Sequence, residues 1–392
     1  RNRMKKYSLD KFKERRKNRK MIKFTIITLI AIIILVFIAL YMANKSFNSF
    51  IDTYILKKRI SENDANSLTI DTDNLSLIYA YDKSLVVYSD GSINFYNTDA
   101  KQTGNIEMTL SKPIADSEDK YLALADYGLQ KVCLIKSNSL VWQKDIEGKI
   151  SKVSVNKQGY VAVSVTGTTY ESIVMLFNEN GDLLFSKYLS TYVIDVDISD
   201  DSKYIAIAEV DNSTILPVTK IEMVSVGLAS TSSENATINT YEAESNKLLT
   251  GMNFQSKNVL VCSFEDYVLK MTDSSSDRLY EFSDLTAYLE VDSRKGFVRI
   301  DKEESSVFKS DYRLKITNEN NSEKVYIIEG SIKSLVCKDN RIALNLGKEV
   351  QFIDNNGWLV KKFIGNQEVK SVLVSNKIGI IVFKDKISIV NL

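Results

Sequence analysis

The chain of 392 residues contains no histidine. That absence removes the commonest general base and metal ligand, and with them the Ser-His-Asp triad and most zinc sites. Proline occurs twice and tryptophan twice. Cysteine occurs three times, at Cys133, Cys262 and Cys337, with no CxxC spacing. An odd, scattered set argues against a disulfide framework or a thiolate metal site and reads as buried apolar thiols. Beyond the N-terminal region no long segment shows the 3.6-residue period of an amphipathic helix, which argues against a parallel α/β fold. What is present is a folded composition, 44% hydrophobic and 26% charged, with 20 Tyr and 16 Phe.

Residues 24–43, FTIITLIAIIILVFIALYMA, carry no charge. Twenty apolar residues in a helix span about 30 Å, the thickness of a bilayer core. A cleaved signal peptide has a shorter apolar core and a small-residue cleavage site, and Tyr41-Met42-Ala43-Asn44 is a poor one. The run therefore reads as an uncleaved transmembrane helix. Residues 1–23 hold twelve Lys/Arg against Asp10 and Glu14. Positive flanks stay in the cytoplasm, so the rest of the chain is expected outside. Arg15, Arg16, Lys17, Arg19, Lys20 and Lys23 are candidates for contact with anionic lipid headgroups. Of the 51 basic and 50 acidic residues, 39 and 48 lie beyond residue 23. That negative balance argues against nucleic acid as a partner. Residues 44–66 mix apolar and charged side chains and are expected to form a juxtamembrane stalk.

From residue 67 to 392 short alternating runs rich in Val, Ile, Tyr, Phe and Leu read as strands, with Gly, Asn, Asp and Ser between them. One phrase recurs: EDKYLALAD at 118–126 returns as DSKYIAIAE at 201–209. Weaker copies are SLVVY (84–88), YVAVS (160–164), NVLVC (258–262), GFVRI (296–300), RIALN (341–345) and KIGII (377–381). Aligned on Leu85, Leu122, Val161, Ile205, Val259, Phe297, Ile342 and Ile378, they repeat about every forty residues, the length of a four-stranded propeller blade. The last unit offers three strands, and SLTID (67–71) is the candidate for its missing outer strand. The expected fold is thus an all-β, eight-bladed β-propeller preceded by one transmembrane helix, with seven blades as the alternative. Ala123, Ala162, Ala206, Ala343 and Gly379 suit close approach of neighbouring blades, and Leu260 and Val298 depart from that pattern.

Few residues suggest chemistry. Asp195 and Asp197, two apart in VIDVDIS, point to one face of an innermost strand. They are either a ligand site in the central channel or solvated carboxylates at a blade end. Turns such as NENGD (178–182) and DNNGW (354–358) are too short for calcium loops and read as hairpins. The fourth unit is the longest, with DNSTILP (211–217) and GLASTSSENAT (227–237) interrupting it. Ser230, Thr231, Ser232, Ser233, Glu234 and Asn235 form a candidate partner-binding loop.

This order of parts, with the K-Y-[LI]-A-[LI]-A phrases at 120–125 and 203–208, resembles an uncharacterised clostridial and Gram-positive family of single-pass membrane proteins. Its members carry an extracytoplasmic propeller of the quinoprotein-like or WD40-like type. The blades also look like those of the eight-bladed outer-membrane assembly lipoprotein, without its lipobox cysteine. Trp142 and Trp358 are too few for the docking motifs of quinoprotein dehydrogenases, so no cofactor is expected. Gly-His and Trp-Asp dipeptides of true WD40 repeats are missing. The expected function is a non-catalytic platform for other envelope proteins in cell-envelope or cell-wall assembly. The alternatives are a ligand-sensing ectodomain that signals through the anchor, and a hydrolase or lyase using carboxylates in the funnel.

Overall fold

A computed structural model describes residues 2–44, 47, 51–56, 58–213, 215–232, 235–303 and 311–392, without the side chains of residues 2–20, 53, 54 and 311. The chain divides into two compact units, Arg1–Arg59 and Ile60–Leu392.

The first unit is built on one helix, Asn2–Ala43. Its stretch Met21–Ala43 is long and apolar enough to cross a membrane. At 1.5 Å per residue, those 23 residues measure about 35 Å. Its two threonine hydroxyls are satisfied locally. Thr25 Oγ1 donates to Met21 O and Thr28 Oγ1 to Phe24 O, both at 2.9 Å. Such back-bonding leaves neither threonine hydroxyl needing water in an apolar surrounding. The backbone of the basic segment continues the same helix.

The second unit is a ring of eight antiparallel sheets. The blades span residues 77–107, 113–145, 149–189, 192–242, 249–281, 286–328, 334–364 and 371–391. In each of the first seven the four strands follow in chain order, and around most of the axis first strands of neighbouring blades touch. Blade eight takes its fourth strand from Asn66–Thr69, paired antiparallel to Lys386–Asn391 with Leu68 opposite Ile387. The ring is therefore closed by the segment expected to do so. A further short strand, Arg59–Ser61, lies outside the fourth strand of blade seven, within the stretch expected to be stalk. Just after it, buried Glu62 accepts from Asn366 N and Lys386 Nζ, both at 2.5 Å, and ties blades seven and eight together.

Eight apolar layers fill the eight gaps between blades. Strand alternation decides which side chain goes where. Leu122 and Leu124 face blade one, whereas Ala123 and Ala125 face blade three. Ile205 and Ile207 likewise face blade three, and Ala206 and Ala208 face blade five. The fifth unit is offset by one residue from the sequence alignment. Gln255 N bonds Val259 O as Asn156 N bonds Tyr160 O, so Leu260 rather than Val259 is equivalent to Val161. The residue at the small position is then Val261, not Leu260. The three cysteines are buried as free thiols, one in each of three layers.

Gly379 shows how closely blades seven and eight approach. A Cβ there would stand 2.3 Å from Phe352 Cζ. Gly379→Ala is expected to cost about 1–3 kcal/mol of unfolding free energy through overpacking. Phe352→Leu in the same chain is expected to recover part of it, in a double-mutant cycle read by chemical denaturation. Strictly additive losses would contradict the contact.

Candidate functional site

The repeat sets one side chain per blade at the same height on the channel wall. Register places Asp116 opposite Ala123, Ser154 opposite Ala162, Asp197 opposite Ala206, Asn253 opposite Val261 and Glu290 opposite Val298. All five line a cavity of 510 Å³ at the centre of the ring. Asp195, Asp292, Lys152 and Lys338 line it too. The two expected aspartates do share the channel. The other acids and both lysines escaped the sequence reading. A usable signal existed, because Asp116 in PIADSE occupies the same repeat position as Asp197.

Most of these carboxylates are engaged by the fold itself. Asp197 accepts from Ile198 N at 2.8 Å, Ser154 Oγ at 3.2 Å and Phe254 N at 2.6 Å, so it joins blades three, four and five. Asp116 makes the same kind of tie, accepting from Val155 N at 2.9 Å. Lys338 of blade seven stands 3.4 Å from both Asp116 and Asp292. Asp195 has a looser partner, Lys152 at 3.7 Å. Burial pushes the Asp197 carboxyl up to about 7 and that of Asp195 up to about 6, with Asp116 adding repulsion to each. Glu290 has no hydrogen-bond or ion-pair partner among the described residues; burial, then Asp292, push it up to about 7.

The end of the channel that carries the turns between first and second strands is spanned by Arg294 of blade six. Its Nη1 meets Asp200 of blade four at 2.6 Å, and its Nε meets Asp339 of blade seven at 2.7 Å. Its Nη2 meets Glu118 of blade two, directly across the ring. Latches between neighbours surround this clamp. Asn156 Nδ2 donates to Ser199 O at 2.8 Å, Gln255 Nε2 to Val291 O at 3.1 Å, and Ser375 Oγ to Asp82 O at 2.7 Å.

The candidate loop of unit four lies at the same end of its blade. Ser225 caps a short helix, Val226–Ala229, by accepting from Leu228 N at 3.4 Å. Ser230 Oγ donates back to Val226 O at 2.9 Å, and Thr231 and Ser232 donate their N–H groups to Leu228 O. Val226, Ala229 and Ala236 are buried in the layer between blades three and four. Asn235 is exposed, while Ser233 and Glu234 lie outside the described residues. Of the basic candidates, Lys23 is exposed at the start of the apolar span. The backbones of Arg15, Arg16, Lys17, Arg19 and Lys20 are helical, and their side chains lie outside the description. The turns 178–182 and 354–358 are self-contained hairpins. Asn178 Oδ1 accepts from Asn180 N and Asp182 N, and Asp354 Oδ1 from Asn356 N and Trp358 N, all at 2.8–3.0 Å.

The opposite face differs. Four tyrosines are exposed among the described side chains: Tyr127, Tyr170, Tyr188 and Tyr192, at 43–55%. Tyr127 and Tyr170 sit in loops between second and third strands, Tyr188 near the end of the fourth strand of blade three and Tyr192 at the start of the first strand of blade four, so all four stand at one end of adjacent blades two to four. Ile215, between the second and third strands of blade four, is fully exposed.

These features define an eight-bladed β-propeller with an N-terminal helix able to span a membrane and a carboxylate-lined channel. The chain belongs to the family of unknown function DUF5711, whose profile matches residues 57–392. No curated protein matches it. Among solved structures it is similar to AztD of Citrobacter koseri, at 11% identity over 79% of this chain and 90% of that one, with a TM-score of 0.52. BamB of Moraxella catarrhalis is 10% identical over 83% and 98% of the two chains, with a TM-score of 0.47. Hydrazine synthase of Kuenenia stuttgartiensis is 11% identical over 83% and 97%, with a TM-score of 0.46. At such identities the AztD likeness supports the fold alone.

The Glu290 carboxyl generates a pH prediction. Its ordinary value is 4.5, and in the fold it is held near 7. The folded chain keeps this proton where the unfolded chain has lost it, so stability falls as pH climbs between those values. Glu290→Gln is expected to leave stability at pH 5 nearly unchanged and to raise it by roughly 2 kcal/mol at pH 8. Unfolding at the two pH values reads this, and an equal effect at both would contradict it.

Proposed function

We propose that this protein is a membrane-anchored, non-catalytic propeller that serves as a protein-interaction platform in cell-envelope or cell-wall assembly. Its propeller stands outside the cytoplasmic membrane, and its basic N-terminal segment stays inside against anionic lipid. The observation that carries the reading is the cluster of four exposed tyrosines on one face of blades two to four. Tyrosine is enriched at protein interfaces, where a rigid ring supplies area at low entropic cost. Supporting it, the channel carboxylates nearest in type to catalytic groups are tied up in the fold: Asp197 by three donors and Glu118 by Arg294. The charge asymmetry around the apolar helix supports the orientation. The balance of acids beyond residue 23 supports partners other than nucleic acid.

A second reading, a ligand-sensing ectodomain, is favoured by the 510 Å³ channel cavity and by Glu290 within it, which has no hydrogen-bond or ion-pair partner among the described residues. That cavity falls within the size range of ligand pockets.

Cross-linking in intact membranes separates the readings. Capture of the full chain is expected to recover envelope proteins that are lost when the chain is cut after residue 58. Recovery of the same proteins by both chains would contradict the platform reading.

A further inference from the structure

A second cavity, of 340 Å³, opens between blades three and four on the face that bears the exposed tyrosines. One wall is Tyr188, at the end of the fourth strand of blade three. The other is made by blade four: Glu209 and Asp211 from its second strand, Lys220 from its third and Glu242 from its fourth. The floor is electrically balanced. Glu209, 2% exposed, accepts from the Thr191 hydroxyl and meets Lys220 Nζ at 3.0 Å. Lys220 also contacts Glu222, which takes Lys187 as its second cation. Two lysines thus face two buried glutamates, and Lys220 has no charge left to offer a ligand.

The rim is not balanced. Asp211 accepts from Ser213 N at 2.8 Å and from the Ser213 side chain, and it meets no cation among the described residues. Glu242 is exposed and has no hydrogen-bond or ion-pair partner among the described residues. Nearby, Glu171 is hydrogen-bonded to the Tyr192 hydroxyl. The Tyr188 ring is 55% exposed and is braced by Tyr170, centroid to centroid 4.8 Å. An aromatic face beside surplus carboxylates suits a cation on a long apolar stem, because the stem covers the ring while the charge meets the acids. The groove also adjoins an open sheet edge. The strand Thr237–Glu242 is outermost in blade four, so its outer backbone groups can pair with an extended chain.

We propose that this groove binds a lysine- or arginine-bearing extended segment of a partner protein, with the cation between Asp211 and Glu242 and its stem on Tyr188. The inference rests on the platform reading and names the chemistry of the partner. Asp211 and Val218, which bracket one of the two long insertions of blade four, both line the groove.

The probe is a fluorescein-labelled decapeptide of Lys, Gly and Ser, with a Glu-for-Lys peptide as control. Anisotropy is read on the full chain in neutral detergent. The lysine peptide is expected to bind and the glutamate peptide not to. Asp211→Asn combined with Glu242→Gln is expected to weaken binding about tenfold or more, as for loss of two charge-assisted contacts. Tyr188→Ala is expected to weaken it about three- to tenfold. Tyr188 and Glu242 are exposed and Asp211 is half-buried, and an unchanged Tm checks that the variants fold. Absence of lysine-peptide binding, equal affinity in the variants, or loss of binding on Asp195→Asn in their place would overturn the groove. If capture from membranes still depends on the propeller while the variants bind peptide unchanged, the groove fails and the platform stands. If capture is independent of the propeller, the platform itself fails.

Discussion

Arg294 reaches from blade six to carboxylates on blades two, four and seven. Separate four-stranded sheets arranged in a ring share no hydrogen-bond ladder with one another, so something other than β-pairing must fix their distance from the axis. Apolar layers set the spacing between neighbours. A guanidinium bridging opposite blades sets the width of the channel, because its planar fork engages several oxygens in fixed directions. Three carboxylates around one cation are costly in isolation, and removing the cation would leave buried Glu118 and Asp339 without their ion pair, while Asp200 keeps Lys157 at 3.1 Å. Burial and the neighbouring Asp339 push the Glu118 carboxyl up, while Lys338 and Arg294, with which it is directly paired, act to keep it ionised. Lys338 repeats the device deeper in the channel, holding Asp116 and Asp292.

This clamp divides the molecule's two faces by role. One end is sewn by Arg294 and by the latches of Asn156, Gln255 and Ser375. There polar side chains look inward and meet fixed partners. The other end holds the exposed tyrosines and a groove whose rim carboxylates face solvent. A rigid base under variable loops is the arrangement that scaffolds use to present binding residues. The ring closure belongs with the base. With Asn66–Thr69 in blade eight and Glu62 between blades seven and eight, opening the ring breaks a strand pairing and a buried charge contact together.

Much of the architecture was legible because it is written many times. The KYLALA and KYIAIA phrases alternate large and small residues, and the fold uses that alternation to choose which neighbouring blade each side chain meets. The closing strand was legible because the last unit offered only three. The fifth unit slipped by one residue because NVLVC and VLVCS are both acceptable strands, and a turn hydrogen bond decides between them. Asp195 and Asp197 could be placed in the channel by their spacing of two. Their partners could not, since Ser154, Phe254 and Lys152 come from other blades. Arg294 was invisible for the same reason: it sits in an ordinary-looking DSRKG turn, 176 residues from Glu118. Across a ring, contact order hides the polar ties that local patterns reveal for the core. In 227–237 the polar composition masked a capped helical turn whose Val226 and Ala229 are buried.

The central claim, that charges across the axis hold one end of the propeller shut, is tested most directly by the stability of two variants at pH 7. One carries Arg294→Met alone. The other adds Glu118→Gln, Asp200→Asn and Asp339→Asn. A structural clamp predicts a loss of about 3–5 kcal/mol for the single change, as for other buried pairs deprived of a partner, and recovery of most of it in the quadruple variant. A single change tolerated within about 0.5 kcal/mol, the range of ordinary surface substitutions, would contradict the account.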